Sequence, residues 1–199
     1  MKRGSFVILE GIDGSGKSTQ LQRLVAGLEA AGHDVVATRE PSDGAIGRRI
    51  RARARSGESL PPEQELEWFM EDRTEHVREV IQPALVAGRT VVCDRYYLST
   101  VAYQGARGLD WQAILAESEA RFPQPDLALI LEIDPASGLA RTRLRGAADP
   151  TFENLAFLER VAAIFAAIDR PWIARIDASG DADSVTAAIT AAIKKGDGP

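Results

Sequence analysis

The sequence contains little cysteine and no long apolar run, and each absence excludes a class of protein. The single cysteine, Cys93, rules out a framework of disulfides and suits a reducing compartment. Its position in the apolar run 91–93 predicts a small buried side chain. No stretch approaches the roughly 18 apolar residues of a membrane-spanning helix, and the first residues show no apolar leader. We therefore expect a soluble, cytoplasmic protein with no membrane partner.

The sequence also has fewer basic than acidic residues. Asp and Glu number 29 against 24 Lys and Arg, which gives a formal net charge of −5. Such a chain has no overall electrostatic attraction for nucleic acid, so we expect no nucleic-acid partner. Residues 48–55 carry five arginines, but a solvated helix face accounts for most of them. A nucleic-acid binder built on these arginines conflicts with the acidic balance of the chain.

One stretch organises the rest of the sequence: residues 11–19 fit the pattern of a phosphate-binding loop. An apolar run at residues 5–10 precedes the loop and a helical period follows it, which is the setting that the pattern requires. Its glycines let consecutive N–H groups surround an anion at the positive end of a helix. Lys17 is predicted to bind the phosphates of a nucleoside triphosphate and Ser18 to ligate magnesium. The residues predicted to bind the triphosphate are Gly11, Ile12, Asp13, Gly14, Ser15, Gly16, Lys17, Ser18 and Thr19.

Strand-like apolar runs alternate with helical periods along the whole chain. After the first strand, further strands are predicted at residues 35–38, 90–93, 127–133 and 172–177. This alternation predicts an α/β protein with a five-stranded parallel sheet and helices on both faces. There is no internal repeat, linker or low-complexity block, so residues 1–199 are expected to form a single domain. A break in periodicity after the helix that begins at Pro135 predicts a short lid at about residues 143–154.

Two further segments carry candidate binding residues. Phe69 and Arg73 lie four apart on a long predicted helix over residues 62–87, so they share a face. Separately they fit a core residue and an ordinary helix charge, but opposite a phosphate loop they could stack on and hydrogen-bond a flat heterocycle. Asp94 follows a buried strand directly, where a carboxylate needs a cation or a donor. Its expected partner is hydrated magnesium, although polar residues capping a helix start are an alternative explanation.

Together these segments resemble the thymidylate kinase family, whose members phosphorylate dTMP to dTDP with ATP. The resemblance covers nearly the full length. Its marks are the phosphate loop followed by Gln20, the run Thr-Arg-Glu-Pro at 38–41, Phe-Met-Glu-Asp-Arg at 69–73 with His76, and the segment 94–105, which is the most specific. The resemblance implies a P-loop fold like that of nucleoside monophosphate kinases, MgATP as the phosphoryl donor in dTTP synthesis, and a homodimer.

Roles follow from the resemblance position by position. It implies that Asp13 binds the 3′-hydroxyl of dTMP and that Arg39 and Arg95 grip its phosphate. Phe69 would stack on thymine, and Arg73 would bond its exocyclic oxygen. The residues implied to bind dTMP are Asp13, Arg39, Phe69, Arg73, Arg95, Ser99, Thr100, Tyr103 and Gln104, with Tyr103 crowding the 2′ position. Those expected to act in transfer are Lys17, Asp94, Arg95, Arg143 and Arg145, with Ser18 and Asp94 as metal ligands.

The catalytic arginine is expected on the lid. Family members carry it either in the phosphate loop or on the lid, and here Gly14 follows Asp13 in the loop. The resemblance therefore implies a lid arginine, with Arg143 and Arg145 as candidates, while Arg141 is expected to contact ATP. The chain departs from many relatives in having Pro150 after the lid aspartate.

Two other functions fit the phosphate loop. A kinase for another small acceptor, such as a deoxynucleoside or a shikimate-like metabolite, would share the donor site, but the Phe69 and Arg73 pair favours a base-bearing monophosphate. A GTP switch would display an Asn-Lys-x-Asp guanine signature, which the sequence lacks. Fold and loop alone are compatible with many functions.

Overall fold

The described part of the chain is built around one parallel sheet. The structure is a computed structural model that describes residues 3–144 and 154–195. In these residues five strands lie side by side in the order β2-β3-β1-β4-β5, and every pair is parallel. The predicted α/β fold is confirmed. The strands are β1 (Phe6–Glu10), β2 (Val35–Arg39), β3 (Thr90–Asp94), β4 (Leu127–Glu132) and β5 (Ile173–Asp177).

Helices follow the strands at the positions that the apolar periods predict. They are α1 (Lys17–Ala30), α2 (Ala45–Ser56), α3 (Pro62–His76), α4 (Gln82–Val86), α5 (Tyr97–Ala106), α6 (Trp111–Arg121), α7 (Pro135–Leu144), α8 (Leu155–Ala167) and α9 (Ala182–Lys195). A π-helical segment, Val77–Ile81, joins α3 to α4, so the long helix predicted over residues 62–87 is continuous but changes its winding. Gly88 follows it with a φ of 79°, a conformation that glycine adopts most cheaply.

The core has two layers, one on each face of the sheet. Side chains alternate along β1, so Phe6 and Ile8 face one layer while Val7 and Leu9 face the other, and all four are fully buried. Burial on both faces explains why the strand is continuously apolar. Cys93 is buried in the first layer, as the sequence predicts. Among the described helices, none has the length and apolarity that a bilayer crossing requires.

The sheet brings the predicted motifs to one edge. Leu9 pairs with Asp94 in the register of β1 and β3, and Arg39 pairs with Asp94 in the register of β2 and β3. The carboxyl ends of three adjacent strands therefore meet where the phosphate loop leaves β1, which is the position where open α/β sheets bind ligands. Of the predicted lid at about residues 143–154, residues 145–153 lie outside the described residues.

Candidate active site

The phosphate loop closes over the start of α1. Gly11, Gly14 and Gly16 have φ values of 135°, 84° and 95°, which L side chains rarely adopt. Gly14 has a second requirement, since a Cβ there would lie 2.1 Å from the carbonyl oxygen of Gly138. The loop thus packs against α7 and leads into the 14-residue α1, whose unpaired N–H groups and dipole favour an anion. The backbone of this loop therefore forms an anion-binding site.

Lys17 is the buried cation of the loop. Its Nζ donates to the carbonyl oxygens of Gly11 at 2.9 Å and Ile12 at 2.8 Å. Burial, followed by the nearby charge of Arg95, lowers the pKa of Lys17 to about 8, although the carboxylates around it oppose the shift. A phosphate anion in the cradle would offer Nζ a charged acceptor in place of two neutral carbonyls. Lys17 therefore has a stronger interaction to gain from a triphosphate than it has in the free protein.

Ser18 and Asp94 present oxygen atoms at the mouth of the loop. The Ser18 hydroxyl donates to Asp94 Oδ2 at 2.9 Å, and the buried Oδ1 of Asp94 accepts from no described protein group. Oxygen donors of this kind suit Mg²⁺, which takes one or two protein ligands and completes its shell with phosphate oxygens and water. The described residues contain no group of three or more His, Cys, Asp or Glu side chains that could hold a metal ion.

Arg95 stands between the loop and a neighbouring cavity. Its φ of 68° is unusual for a residue with a side chain. The guanidinium donates to Asp13 Oδ1 at 2.5 Å, to Ser99 Oγ at 3.1 Å and to the Gly11 carbonyl at 3.4 Å. Burial opposes charge on both partners, but the pair outweighs it: the pKa of Arg95 rises and the pKa of Asp13 falls. The site holds a permanent cation at this junction.

Glu10 anchors the segment that carries Arg95. This fully buried residue ends β1, and its carboxylate accepts from the backbone N–H groups of Tyr96 at 2.8 Å and Ser99 at 3.2 Å, and from the Ser99 hydroxyl. Burial raises the pKa of Glu10 to about 7, against the opposing effects of the Ser99 hydroxyl and the Arg95 charge. The carboxylate fixes the turn between β3 and α5.

A cavity of about 260 Å³ opens beside Arg95. Phe69 is half-buried and lines one wall, so its ring is available to a ligand. Arg73 is almost completely buried and donates to Glu40 from Nε at 2.8 Å and from Nη2 at 2.6 Å. Its Nη2 also donates to Thr100 Oγ1 at 2.8 Å. The cavity thus combines an aromatic wall with a rigidly held guanidinium, which suits a flat heterocycle bearing acceptor atoms.

Helix α5 supplies another wall. The segment is helical, and Ser99, Thr100, Tyr103 and Gln104 share the face that borders the cavity, as their spacing indicates. The Tyr103 hydroxyl donates to Asp13 Oδ2 at 2.9 Å, which joins this wall to the phosphate loop. Asp13 therefore bridges the loop and the cavity through two partners.

Arg39 lies apart from this cavity. Its side chain is 56% exposed and forms an ion pair with Asp43 at 2.8 Å on the surface. The strand register places its backbone beside Asp94, but the guanidinium is directed to the loop after β2. Exposed ion pairs of this kind contribute only about 0–1 kcal/mol, so little opposes a reorientation of Arg39.

The two described arginines at the end of α7 occupy different environments. Arg141 donates to the carbonyl oxygens of Ala178 and Ser179, both at 3.2 Å, next to a cavity of about 420 Å³ between the phosphate loop and the loop after β5. Arg143 is exposed at the end of α7. Arg145 lies outside the described residues. The structure thus places Arg141 beside the cavity between the phosphate loop and the loop after β5.

Sequence reasoning missed several residues of the site. Glu10, Glu40 and Glu65 are buried carboxylates that hold Arg95, Arg73 or Gln104 in place. A signal existed for Glu10, because it ends an apolar strand in the same way as Asp94. Glu40 lies in the run 38–41 that marks the family, but nothing in that run indicates that its side chain is buried against Arg73. Glu65 lies in polar surroundings in the sequence, where nothing distinguishes it from a surface charge. The loop 178–182, which borders the second cavity, carries no motif.

Fold and site together define a class: a P-loop kinase fold with a second cavity next to the phosphate loop. A family profile described as "Thymidylate kinase" matches residues 9–189. The chain belongs to the thymidylate kinase family.

Curated relatives of this family are similar over most of their length. A thymidylate kinase of Xanthomonas euvesicatoria pv. vesicatoria is 48% identical over 182 residues, which cover 92% of this chain and 80% of the relative. Another, of Desulfotalea psychrophila, is 43% identical over 193 residues, 96% of this chain and 95% of the relative. The family resemblance indicated by the sequence motifs is confirmed.

Proposed function

We propose that the cavity beside Arg95 holds dTMP and that the phosphate loop holds the triphosphate of MgATP. As a member of this family, the chain is an enzyme that phosphorylates dTMP to dTDP, with ATP as co-substrate. The observation that carries the assignment of the two sites is the position of Arg95, which borders both the phosphate loop and the cavity. An acceptor phosphate and a donor phosphate on either side of this cation would be close enough for direct transfer.

At the donor site, the loop residues 11–19 would surround the phosphates with backbone N–H groups. Lys17 would leave the carbonyls of Gly11 and Ile12 and bond the phosphates. Ser18 and Asp94 would hold Mg²⁺, and the Oδ1 of Asp94, which accepts from none of the described residues, supports this assignment. The ion would supply neutralisation of charge on the phosphates. Arg141 would border the nucleoside of ATP in the cavity next to the loop after β5.

At the acceptor site, Phe69 would stack on the thymine ring and Arg73 would donate to its exocyclic oxygen. Both border the cavity, and Glu40 holds the Arg73 guanidinium in a fixed plane. Asp13 would accept from the 3′-hydroxyl of the sugar. The remaining contacts around the nucleoside are proposed for Ser99, Thr100, Tyr103 and Gln104.

Transfer itself requires two anions to approach one another. The transition state is loose and highly charged, so catalysis consists chiefly of positioning and charge neutralisation. Arg95 would bind the acceptor phosphate, and Arg39 would join it by leaving its exposed pair with Asp43. Arg143 and Arg145 are the proposed lid arginines that stabilise the transferring group. Each charged hydrogen bond at such a centre contributes roughly 1.5–3 kcal/mol.

Other proposals rest on the family, for the homodimer, or on the composition and periodicity of the sequence, for the rest. They are a homodimer formed through the long helical segment from Pro62, a single domain with a lid at about residues 143–154, a cytoplasmic location and the absence of a nucleic-acid partner. Sedimentation would test the homodimer.

Acceptor preference tests the proposed function. In an assay that couples ADP release to a chromogenic reaction, dTMP should give the highest kcat/KM among the nucleoside monophosphates. The value for dUMP should lie within about 200-fold of it, because one methyl group in a fitted pocket discriminates by only ~1–3 kcal/mol. A protein that releases ADP with another monophosphate in preference to dTMP would contradict the proposal.

A further inference from the structure

Gln104 is held by a buried charge network at the end of the cavity. Its Nε2 donates to Glu65 Oε2 at 2.7 Å. Glu65 is fully buried and also accepts from the guanidinium groups of Arg53 and Arg107. The Glu65 carboxylate therefore bridges two arginines from different elements and one amide of α5. Nothing in the proposed chemistry of transfer requires this network.

The network determines which way the Gln104 amide faces. An amide can turn over and exchange its donor for its acceptor, and only its hydrogen-bond partners decide between the two orientations. A carboxylate paired with two guanidinium groups is an acceptor and cannot donate. The NH₂ group of Gln104 must therefore face Glu65. The opposite orientation would place the amide oxygen against the carboxylate.

The other end of the amide has no partner among the described residues. Gln104 Oε1 is buried and accepts no hydrogen bond from the described residues, while Gln104 borders the cavity that Phe69 and Arg73 also line. A buried acceptor without a partner costs roughly 1–3 kcal/mol, which a ligand with an N–H group would recover. The wall of the cavity thus contains a fixed acceptor at Gln104 and a fixed donor at Arg73.

We propose that Glu65 is a positioning residue for base selection: by fixing the Gln104 amide, it makes the cavity select pyrimidines with an N–H at ring position 3. This inference rests on the proposed function. Thymine and uracil present a ring N–H beside a carbonyl oxygen, which complements Gln104 Oε1 and the Arg73 guanidinium. Cytosine presents an unprotonated ring nitrogen beside an amino group, so both contacts are mismatched. A site built to pair with a substrate N–H rejects strongly the analogue that lacks it.

The Glu65→Gln variant tests this role through selectivity. A glutamine at this position can donate as well as accept, so the Gln104 amide is free to turn. The ratio of kcat/KM for dTMP to that for dCMP should fall at least about tenfold, because the cavity no longer has a fixed acceptor. The ratio for dTMP to dUMP should stay within about twofold of the wild-type ratio, since these two bases share the N–H. General damage to the fold would not separate the two ratios.

Asp72→Asn is the matched control. Asp72 is another buried carboxylate of α3, but it accepts from the N–H and hydroxyl of Ser42 and does not contact Gln104. This variant should keep both ratios. A folded Glu65→Gln enzyme with an unchanged ratio of dTMP to dCMP would overturn the inference while leaving the proposed function intact. A wild-type enzyme with no preference for dTMP would instead contradict the proposed function.

A measurement on the wild-type protein covers the case in which Glu65→Gln does not fold. In a crystal structure of the wild-type enzyme with dTMP, the Gln104 amide should keep its hydrogen bond to Glu65 Oε2, which measures 2.7 Å in the free protein. The thymine N3 should lie within hydrogen-bond distance of the other amide atom. An amide that has turned away from Glu65 to meet the base would overturn the inference.

Discussion

Replacing Arg95 with methionine should lower kcat for dTMP phosphorylation about 10²–10³-fold, the loss typical of removing one donor to the charge of a transition state. Arg95 is the cation that borders both the phosphate loop and the cavity proposed to hold dTMP. Asp13 and Ser99 fix its guanidinium before any substrate arrives, so no reorganisation is needed at the moment of transfer. The measurement is steady-state kinetics at saturating ATP with dTMP varied.

Two further variants show whether the loss of kcat is specific to the Arg95 guanidinium. Arg95→Lys keeps the charge but loses the planar fork, so it should recover only part of the rate. Arg121→Met removes an exposed arginine of α6 that pairs with Glu117 and borders neither cavity, so it should leave kcat unchanged. If Arg95→Met retained the wild-type kcat, Arg95 would not act in transfer and the assignment of the two sites would lose its support.

Replacing Lys17 with methionine should reduce kcat/KM for ATP about 10²–10³-fold. Methionine fills a similar volume in the loop but cannot neutralise the phosphates, which Lys17 would reach by exchanging the carbonyl oxygens of Gly11 and Ile12 for phosphate oxygens. The loss should appear with every acceptor tested, since Lys17 acts on the donor. Kinetics with ATP varied at saturating dTMP measure it directly.

The control for Lys17 is Lys194→Met, which removes an exposed cation in the last turn of α9. It should leave kcat/KM unchanged. A Lys17→Met enzyme with normal kcat/KM for ATP would show that the triphosphate does not bind in the loop.

Most of the fold could be predicted because its signals are local. The continuously apolar strands reflect burial on both faces of the sheet, and glycines mark the helix ends. Periodicity could not detect the π-helical segment Val77–Ile81, because the apolar residues at 77, 80 and 81 also fit an ordinary α-helical period. In the structure Ile81 is buried, but Val80 is exposed. Strand order likewise follows from packing, since no pattern in the chain states that β3 lies between β2 and β1.

The phosphate loop could be predicted in detail because backbone conformation alone builds it, and glycines report that conformation in the sequence. The charge networks around it could not. Glu10 meets Ser99 across 89 positions of the chain, and Glu65 meets Arg107 across 42, so their partners appear only when the elements pack. Arg39 illustrates the converse, because its motif predicts a role at the acceptor phosphate while its guanidinium pairs with Asp43 on the surface.

The central claim is that a nucleotide acceptor lies in the cavity beside Arg95, facing a triphosphate in the glycine-rich loop. A crystal structure of the enzyme with dTMP and a non-hydrolysable ATP analogue tests this most directly. The claim predicts a thymine ring stacked on Phe69 and an acceptor phosphate bonded to Arg95, opposite the terminal phosphate of the analogue. A dTMP molecule bound elsewhere, with Arg95 still paired only to Asp13 and Ser99, would contradict it.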